Sequence, residues 1–388
     1  MKVSILTGGK DPHYALGLLG GLASHEIDIE FIGNDGMQDA EVVKNNNVLY
    51  FNLRGDQRAD SPLSEKITRV LRYYLKLFIY SLKTDSPIFH ILWLNKFIYF
   101  DSTLLNLYYK MLGKRLVYTA HNINIRERDG DNTWLNRASL KFMYRIVDHV
   151  FVHTELMKEQ LIEDFDIQQD KVTVIPFGIN NVIPRTELTR VQAREKLHMG
   201  DKDKIVLFFG NVAPYKGIDH LMLAFIRLKE KYDDLKLLIV GRIKNCSEYW
   251  ENIQEQINKY KLADSIIERL EYVPDEEVEV YFKSADVSIL PYKHIFQSGV
   301  LFLSYSFGLP VIATDVGSLK EEIVESQTGF ICRPNDPDDL AAKIDRYFNS
   351  DLYKNLESNR KNIIKYTNEK HSWENVGEKT VTVYKNLL

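Results

Sequence analysis

Twelve short runs of apolar and β-branched residues, separated by longer helix-compatible stretches, constrain this chain more than any other feature. Six lie in the first half, at residues 2–6, 27–32, 88–93, 116–119, 150–152 and 171–175. Six more lie at 205–209, 237–240, 266–270, 287–290, 311–313 and 329–332. Buried parallel strands read as near-continuous apolar runs, and strands alternating with helices make βαβ units. The fold class is therefore α/β, with two successive parallel sheets. In run 27–32, Asp28 and Glu30 alternate with apolar residues, which places that strand nearer an edge. A chain of 388 residues is also long enough for two domains with separate cores. The break follows Pro176-Phe-Gly-Ile-Asn-Asn, where residues up to Gly200 carry Pro184 and scattered charges but no strand pattern. The expected division is 1–180, a linker at 181–200, a second domain at 201–368 and a closing helix at 369–388. In that last stretch Val376, Val381 and Tyr384 are candidate packing contacts. Residues 294–314 contain no charge and are long enough to span a bilayer, but Gly308 and Pro310 would break such a helix. A buried helix running into a buried strand is the expectation.

Charge and cysteine usage exclude several classes. A net charge of −4 argues against a protein that coats nucleic acid. Cys246 and Cys332 are too few for a disulfide framework or a four-thiolate zinc site. Residues 1–9 read as a first strand and loop, not as a signal peptide, so a cytoplasmic location is expected. The overall charge conceals a local asymmetry. Residues 61–145 hold 14 basic and 6 acidic side chains, and residues 66–110 hold 11 aromatics. A helix at 63–83 would mix Arg69, Arg72 and Lys76 with Tyr73, Tyr74 and Phe78. Basic residues among aromatics suit an anionic membrane interface, here the inner face of the plasma membrane; a buried helix with a solvated basic face is the competing reading.

Two loops could carry chemistry. Gly210-Asn-Val-Ala-Pro-Tyr-Lys-Gly follows a buried strand and precedes a helix, so it offers backbone N–H groups, a helix dipole and the charge of Lys216 to a phosphate. A plain turn with a solvated lysine is the alternative. Gln297-Ser-Gly-Val opens a second helix, which ends at Gly308-Leu-Pro and launches the next strand.

These segments, with Phe307-Gly-Leu-Pro-Val-Ile-Ala-Thr-Asp-Val-Gly, Glu321-Glu-Ile-Val and Thr328-Gly-Phe behind them, resemble the donor half of glycosyltransferase family 4. The first half is similar at Val117-Tyr-Thr-Ala-His-Asn, Val150-Phe-Val-His-Thr-Glu and Val172-Thr-Val-Ile-Pro-Phe-Gly-Ile, and Ser372-Trp-Glu-Asn-Val resembles the family's last helix. The resemblance implies the GT-B fold: two facing Rossmann-like domains, with the last helix crossing back onto the first. It implies a metal-independent hexosyltransferase without a cofactor, using a UDP- or GDP-sugar as donor and a lipid-linked or glycan acceptor in cell-surface polysaccharide or glycoconjugate synthesis. Carried over by position, Lys216 would hold the donor diphosphate, joined by amides of Ser298, Gly299 and Val300. Tyr272 and Val273 would flank the base, His121 would contact the transferred group, and Gly8 and Gly9 would admit the sugar or acceptor.

There are departures. Ile295 and Leu303 occupy the places of the family's usual glutamate pair, leaving Gln297 as the nearest polar substitute. Asn211 stands where an arginine usually follows Gly210, and Arg242 could supply that charge. An inverting reaction would need a base, for which Asp11, His13, His121 and Asp129 are candidates. Asp129-Gly-Asp131 resembles a metal-holding pair, although GT-B enzymes generally dispense with a metal. A non-catalytic nucleotide-sugar-binding subunit and a GT-B sugar-nucleotide epimerase remain the alternatives.

Overall fold

The computed structural model describes residues 1–58, 61–124, 133–179, 183–244 and 246–388. The chain divides into two compact units: Met1–Gly178 with His371–Leu388, and Ile179–Lys370.

The first unit is a seven-stranded sheet of β1 (Lys2–Leu6), β2 (Asp28–Gly33), β3 (Val48–Asn52), β4 (Ile88–Ile91), β5 (Arg115–Thr119), β6 (His149–Val152) and β7 (Val172–Val174). Its order is β3-β2-β1-β4-β5-β6-β7, with every pairing parallel. β3 is absent from the sequence reading because it is an edge strand: Leu49 is exposed and its neighbours are half-buried, so no continuous apolar run marks it. β2 therefore lies second from the edge. Asp28 is exposed there, but Glu30 is buried and accepts hydrogen bonds from the hydroxyls of Tyr80 and Thr84 at 2.5 and 2.6 Å. A polar residue in a strand signals solvent only when nothing bonds to it.

Helix α1 (Pro12–Ala23) follows β1, and α2 spans Leu63–Lys83, the span its sequence suggests. Helix α3 (Trp134–Ile146) follows β5. The C-terminal helix Trp373–Leu387 packs on α1 through glycines. A Cβ on Gly17 would collide with the Trp373 indole, and one on Gly377 with the Gly21 carbonyl, so small residues are needed for this approach. Tyr384 of that helix is buried against His90 of β4, whose other nitrogen lies 2.7 Å from the Thr119 hydroxyl.

The second unit holds β8 (Lys204–Phe209), β9 (Leu235–Val240), β10 (Ile266–Arg269), β11 (Val287–Leu290), β12 (Val311–Thr314) and β13 (Gly329–Cys332), in the parallel order β10-β9-β8-β11-β12-β13. The stretch read as a linker, 181–200, contains a helix built into this unit, α4 (Arg190–Lys196). Thr189 and Gln192 form a reciprocal capping box, and the buried Arg194 donates to both oxygens of Asp286 at 3.0 Å. Arg190 donates to the same carboxylate at 2.7 Å, so two arginines on Asp286, and not an apolar stripe, anchor this helix, and hydrophobic periodicity does not reveal it. Helix α5 (Ile218–Lys229) follows β8. The uncharged stretch becomes α6 (Gly299–Ser306) and β12, both buried along most of their length. Among the described residues no helix is long and apolar enough to cross a membrane.

Candidate active site

In open parallel sheets ligands gather at the carboxyl ends of strands, where the strand order reverses. In the second unit that point lies between β8 and β11. Gly210 leaves β8 at φ 110°, and Gly217, at φ 69°, closes the loop into α5. A Cβ on Gly217 would also strike the Pro291 carbonyl, so the loop is pinned against the end of β11. Lys216 is thereby buried. Its ammonium donates to the Tyr292 hydroxyl at 2.9 Å and lies 4.3 Å from the centre of that ring. The Tyr292 and Ser298 hydroxyls are 3.2 Å apart, which links the lysine to the N-cap of α6. A Cβ on Gly210 would touch both Lys216 Nζ and Val300, at 3.5 and 3.6 Å. The structure thus gathers Gly210, Lys216, Ser298, Gly299 and Val300 around the uncapped first turn of α6. No carboxylate pairs with Lys216 among the described residues. A buried cation without a counter-ion is costly, and an arriving anion removes that cost.

Asn211 and Arg242 also meet, with Arg242 Nε donating to Asn211 Oδ1 at 3.3 Å. Gln297 has both amide atoms shut from solvent and without a hydrogen-bond partner among the described residues. Leu303 and Val273 pack together in one apolar cluster with Phe307, whereas Tyr272 is exposed. Tyr292 is the contact sequence reasoning missed; its place just beyond the end of β11 was the available signal.

In the first unit His121 follows β5. Its ring stacks on Trp93 with centroids 4.2 Å apart and meets Tyr14 edge-on at 4.4 Å. His153 Nδ1 lies 3.3 Å from the Ile175 carbonyl, which can only accept, so that nitrogen carries the proton. His153 Nε2 then accepts from His121 Nδ1 at 3.1 Å. The remaining His121 nitrogen, Nε2, is a bare lone pair, buried and without a hydrogen-bond partner among the described residues. Burial, then the neighbouring His153, His90 and Lys10, hold the His121 pKa well below the usual imidazole range. The ring is neutral near pH 7 and suited to accept a hydrogen bond from a hydroxyl.

Gly8 (φ 64°) and Gly9 (φ 71°) allow close approach: a Cβ would collide with the Trp93 carbonyl at the first and with the Arg54 guanidinium at the second. Asp11 caps α1, accepting from the Tyr14 amide at 3.1 Å, and His13 is half-buried in the first turn. Asp129, with Asp131, lies outside the described residues. Among the described residues no group of three or more His, Cys, Asp and Glu side chains could hold a metal ion. Of the three basic residues read as a membrane surface, Arg69 folds back onto the carbonyls of Asp56 and Arg58 at 3.0 and 3.2 Å. Arg72 and Lys76 are exposed.

Residues 13–181 match the family described as Glycosyltransferase Family 4, and residues 190–370 match Glycosyl transferases group 1. An uncharacterized glycosyltransferase of Methanocaldococcus jannaschii is 29% identical over 240 residues, covering 61% of this chain and 59% of that protein. A D-inositol 3-phosphate glycosyltransferase of Corynebacterium aurimucosum is 23% identical over 249 residues, covering 61% of this chain and 58% of that protein. The chain thus spans less than two thirds of the length of these curated relatives. The Anabaena HepE structure in complex with UDP-glucose superimposes with a TM-score of 0.74 at 15% identity, covering 100% of both chains. Two parallel sheets, each with its loops gathered at one strand order reversal, and the paired matches across both units lead to one conclusion: the chain belongs to glycosyltransferase family 4 and has the GT-B fold.

Proposed function

We propose that this protein transfers a hexose from a UDP- or GDP-sugar to a lipid-linked or glycan acceptor in the synthesis of a cell-surface polysaccharide or glycoconjugate. The observation that carries the reading is the buried Lys216 ammonium, beside an uncapped helix start and without a carboxylate among the described residues. Transfer breaks the bond from the sugar C1 to the diphosphate oxygen, which leaves with the electron pair, and joins C1 to the acceptor oxygen, whose proton passes to the departing diphosphate in a retaining reaction and to a base in an inverting one. The charge growing on the leaving diphosphate is met by Lys216 and the amides of Gly299 and Val300. Gln297 supplies the polar contact that Ile295 and Leu303 cannot, and His121 Nε2 accepts from a hydroxyl of the sugar. HepE having been seen with UDP-glucose supports the choice of a uridine donor. Thermal unfolding in a panel of UDP- and GDP-hexoses tests the reading. At least one at saturating concentration should raise the melting temperature by several degrees, since 100-fold excess over Kd adds about 2.7 kcal/mol. A panel in which none shifts it removes the proposal.

A membrane surface is the place of action we propose. Leu63, Ile67, Leu71, Leu75 and Leu82 of α2 are 53–74% exposed, a run of apolar side chains at helical spacing with Arg72 and Lys76 beside it. Leu104, Met111 and Trp134 are also exposed in the same unit. Exposed leucines next to cations suit the interface of an anionic bilayer. Replacing Leu71 and Leu75 by serine, together with Arg72 and Lys76 by glutamine, should weaken sedimentation with phosphatidylglycerol vesicles at least tenfold. Unchanged binding would rule the surface out.

A further inference from the structure

Beside the His121 site lies a second concentration of charge. A cavity of about 420 Å³ is lined by Arg54, Arg58, Lys66, Arg69 and Lys96, with Asn95 and two tyrosines completing the wall. Three chain segments build it. Arg54 and Arg58 leave the end of β3, Asn95 and Lys96 leave β4, and Lys66, Arg69 and Tyr73 lie on one face of α2 at i, i+3 and i+7. The β1 loop reaches it as well, through the approach of Gly9 to Arg54. The cavity therefore sits at the carboxyl ends of β1, β3 and β4, where the strand order of this sheet reverses.

Among the described residues no carboxylate lines it. Asp56 pairs with Arg58 at 2.6 Å and with Arg69 at 3.6 Å, one acid against two guanidinium groups. Asp101 is turned to Tyr74, whose hydroxyl lies 2.8 and 3.0 Å from its oxygens, and burial lifts its carboxyl pKa to about 6. The remaining charge is positive. Burial, then Arg54, lower the pKa of the adjacent Lys10, despite the opposing effect of Asp101.

Arg54 is the organised member of the set. Its guanidinium lies 4.2 Å from the centre of the Tyr73 ring and donates to Asn95, which also accepts from the Tyr73 hydroxyl at 2.9 Å. Arg54 Nε is shut from solvent and without a hydrogen-bond partner among the described residues. A guanidinium clamped on one side, with a spare donor and four further cations around it, is preorganised for an oxyanion of fixed geometry.

We propose that this cavity is the anion subsite of the acceptor, and that the acceptor carries a phosphate group, as a mono- or diester. The assignment rests on the transferase reading above: the donor diphosphate belongs to Lys216 in the other unit, so a separate polycationic cavity in the first unit serves the second substrate. The phosphate could belong to a soluble sugar phosphate or to a lipid headgroup, and both present the same oxyanion.

Binding measured by calorimetry on the full chain carrying Lys216→Ala tests this with the donor cation removed. The probes are glucose 6-phosphate, glucose, and vesicles of phosphatidylcholine with and without phosphatidic acid. Glucose 6-phosphate or the phosphatidic acid vesicles should bind and glucose and pure phosphatidylcholine should not; because the exposed face of α2 also meets anionic vesicles, the vesicle binding assigned to the cavity is the part lost when Arg58 and Lys96 are both replaced by glutamine. Arg58 and Lys96 are exposed, so Arg58→Gln with Lys96→Gln should leave the melting temperature unchanged while weakening that binding at least tenfold. Arg54→Lys should weaken it too, because the charge stays and the fork is lost. Absence of binding to both phosphorylated probes, or equal binding by the double variant, would overturn the subsite. Neither result touches the donor reading, which the nucleotide-sugar panel on the unaltered chain tests separately.

Discussion

Lys216→Ala should lower turnover by roughly 10²–10³-fold while leaving the fold intact, the scale seen when one group stabilising transition-state charge is removed. The expected loss follows from where the ammonium sits. It is buried between the Tyr292 hydroxyl and Gly210, beside the first turn of α6, where its charge is weakly screened by water. Stability should be unharmed, because the hydroxyls of Tyr292 and Ser298 remain within reach of each other and an uncompensated buried cation is removed. The measurement is a pair: initial rate with the donor found in the panel, and the melting temperature without it. A rate within twofold of the unaltered chain would remove Lys216 from its role; an unfolded variant would show that the lysine holds the loop together instead.

The second large effect is acid sensitivity of the first unit. Burial, with a minor contribution from His149, pushes His90 down to about 3; burial also brings His149 to about 4 and holds His121 well below its usual range. All three would titrate near pH 6.5 in an unfolded chain. As pH falls below that value, the unfolded chain takes up protons that the native unit refuses, so stability is full above pH 6.5 and declines as pH falls toward 4 and then 3. For His90 alone a displacement of that size corresponds to about 5 kcal/mol, comparable with the whole stability of many domains. Asp101, raised to about 6 by burial, acts in the opposite sense but by a smaller displacement. Urea midpoints at pH 7.5, 5.5 and 4.5 should fall steadily, and His90→Gln should flatten that fall even though it loses stability at pH 7.5. A midpoint independent of pH across this range would contradict the neutral, buried histidines.

The parts of the fold that were legible in the sequence are those where local chemistry and tertiary role coincide. β8 followed by Gly210, Lys216 and α5 reads as a phosphate loop because the residues that make the turn also make the proposed donor site. The same holds for α6 entering at Ser298 and stopping at Gly308, whose φ of 66° a side chain rarely adopts. Where a role depends on residues far apart in sequence, the reading falls short. β3 lacks an apolar run because it buries only part of its surface. Glu30 looked like a solvent-facing residue until Tyr80 and Thr84, some fifty positions later, were seen to close on it. Arg54 was not marked as a site residue at all. Its meaning comes from Tyr73, Asn95 and Gly9, none of which lies within fifteen positions of it. His121 was legible as a strand-end residue, but the hydrogen bond that fixes its tautomer requires His153 and the Ile175 carbonyl in place. Arg69, read as part of a basic helix face, donates to two backbone carbonyls that its local sequence does not announce.

One measurement bears most directly on the central claim: the fate of the nucleotide when the chain is incubated with the nucleotide sugar that stabilises it, followed by mass spectrometry. Free nucleoside diphosphate should form slowly with water alone and faster with a competent acceptor, and be greatly reduced in Lys216→Ala. A nucleotide that stays attached to an altered sugar would mark an epimerase, and a nucleotide sugar that binds yet never changes would mark a non-catalytic binding subunit; either result would contradict the account.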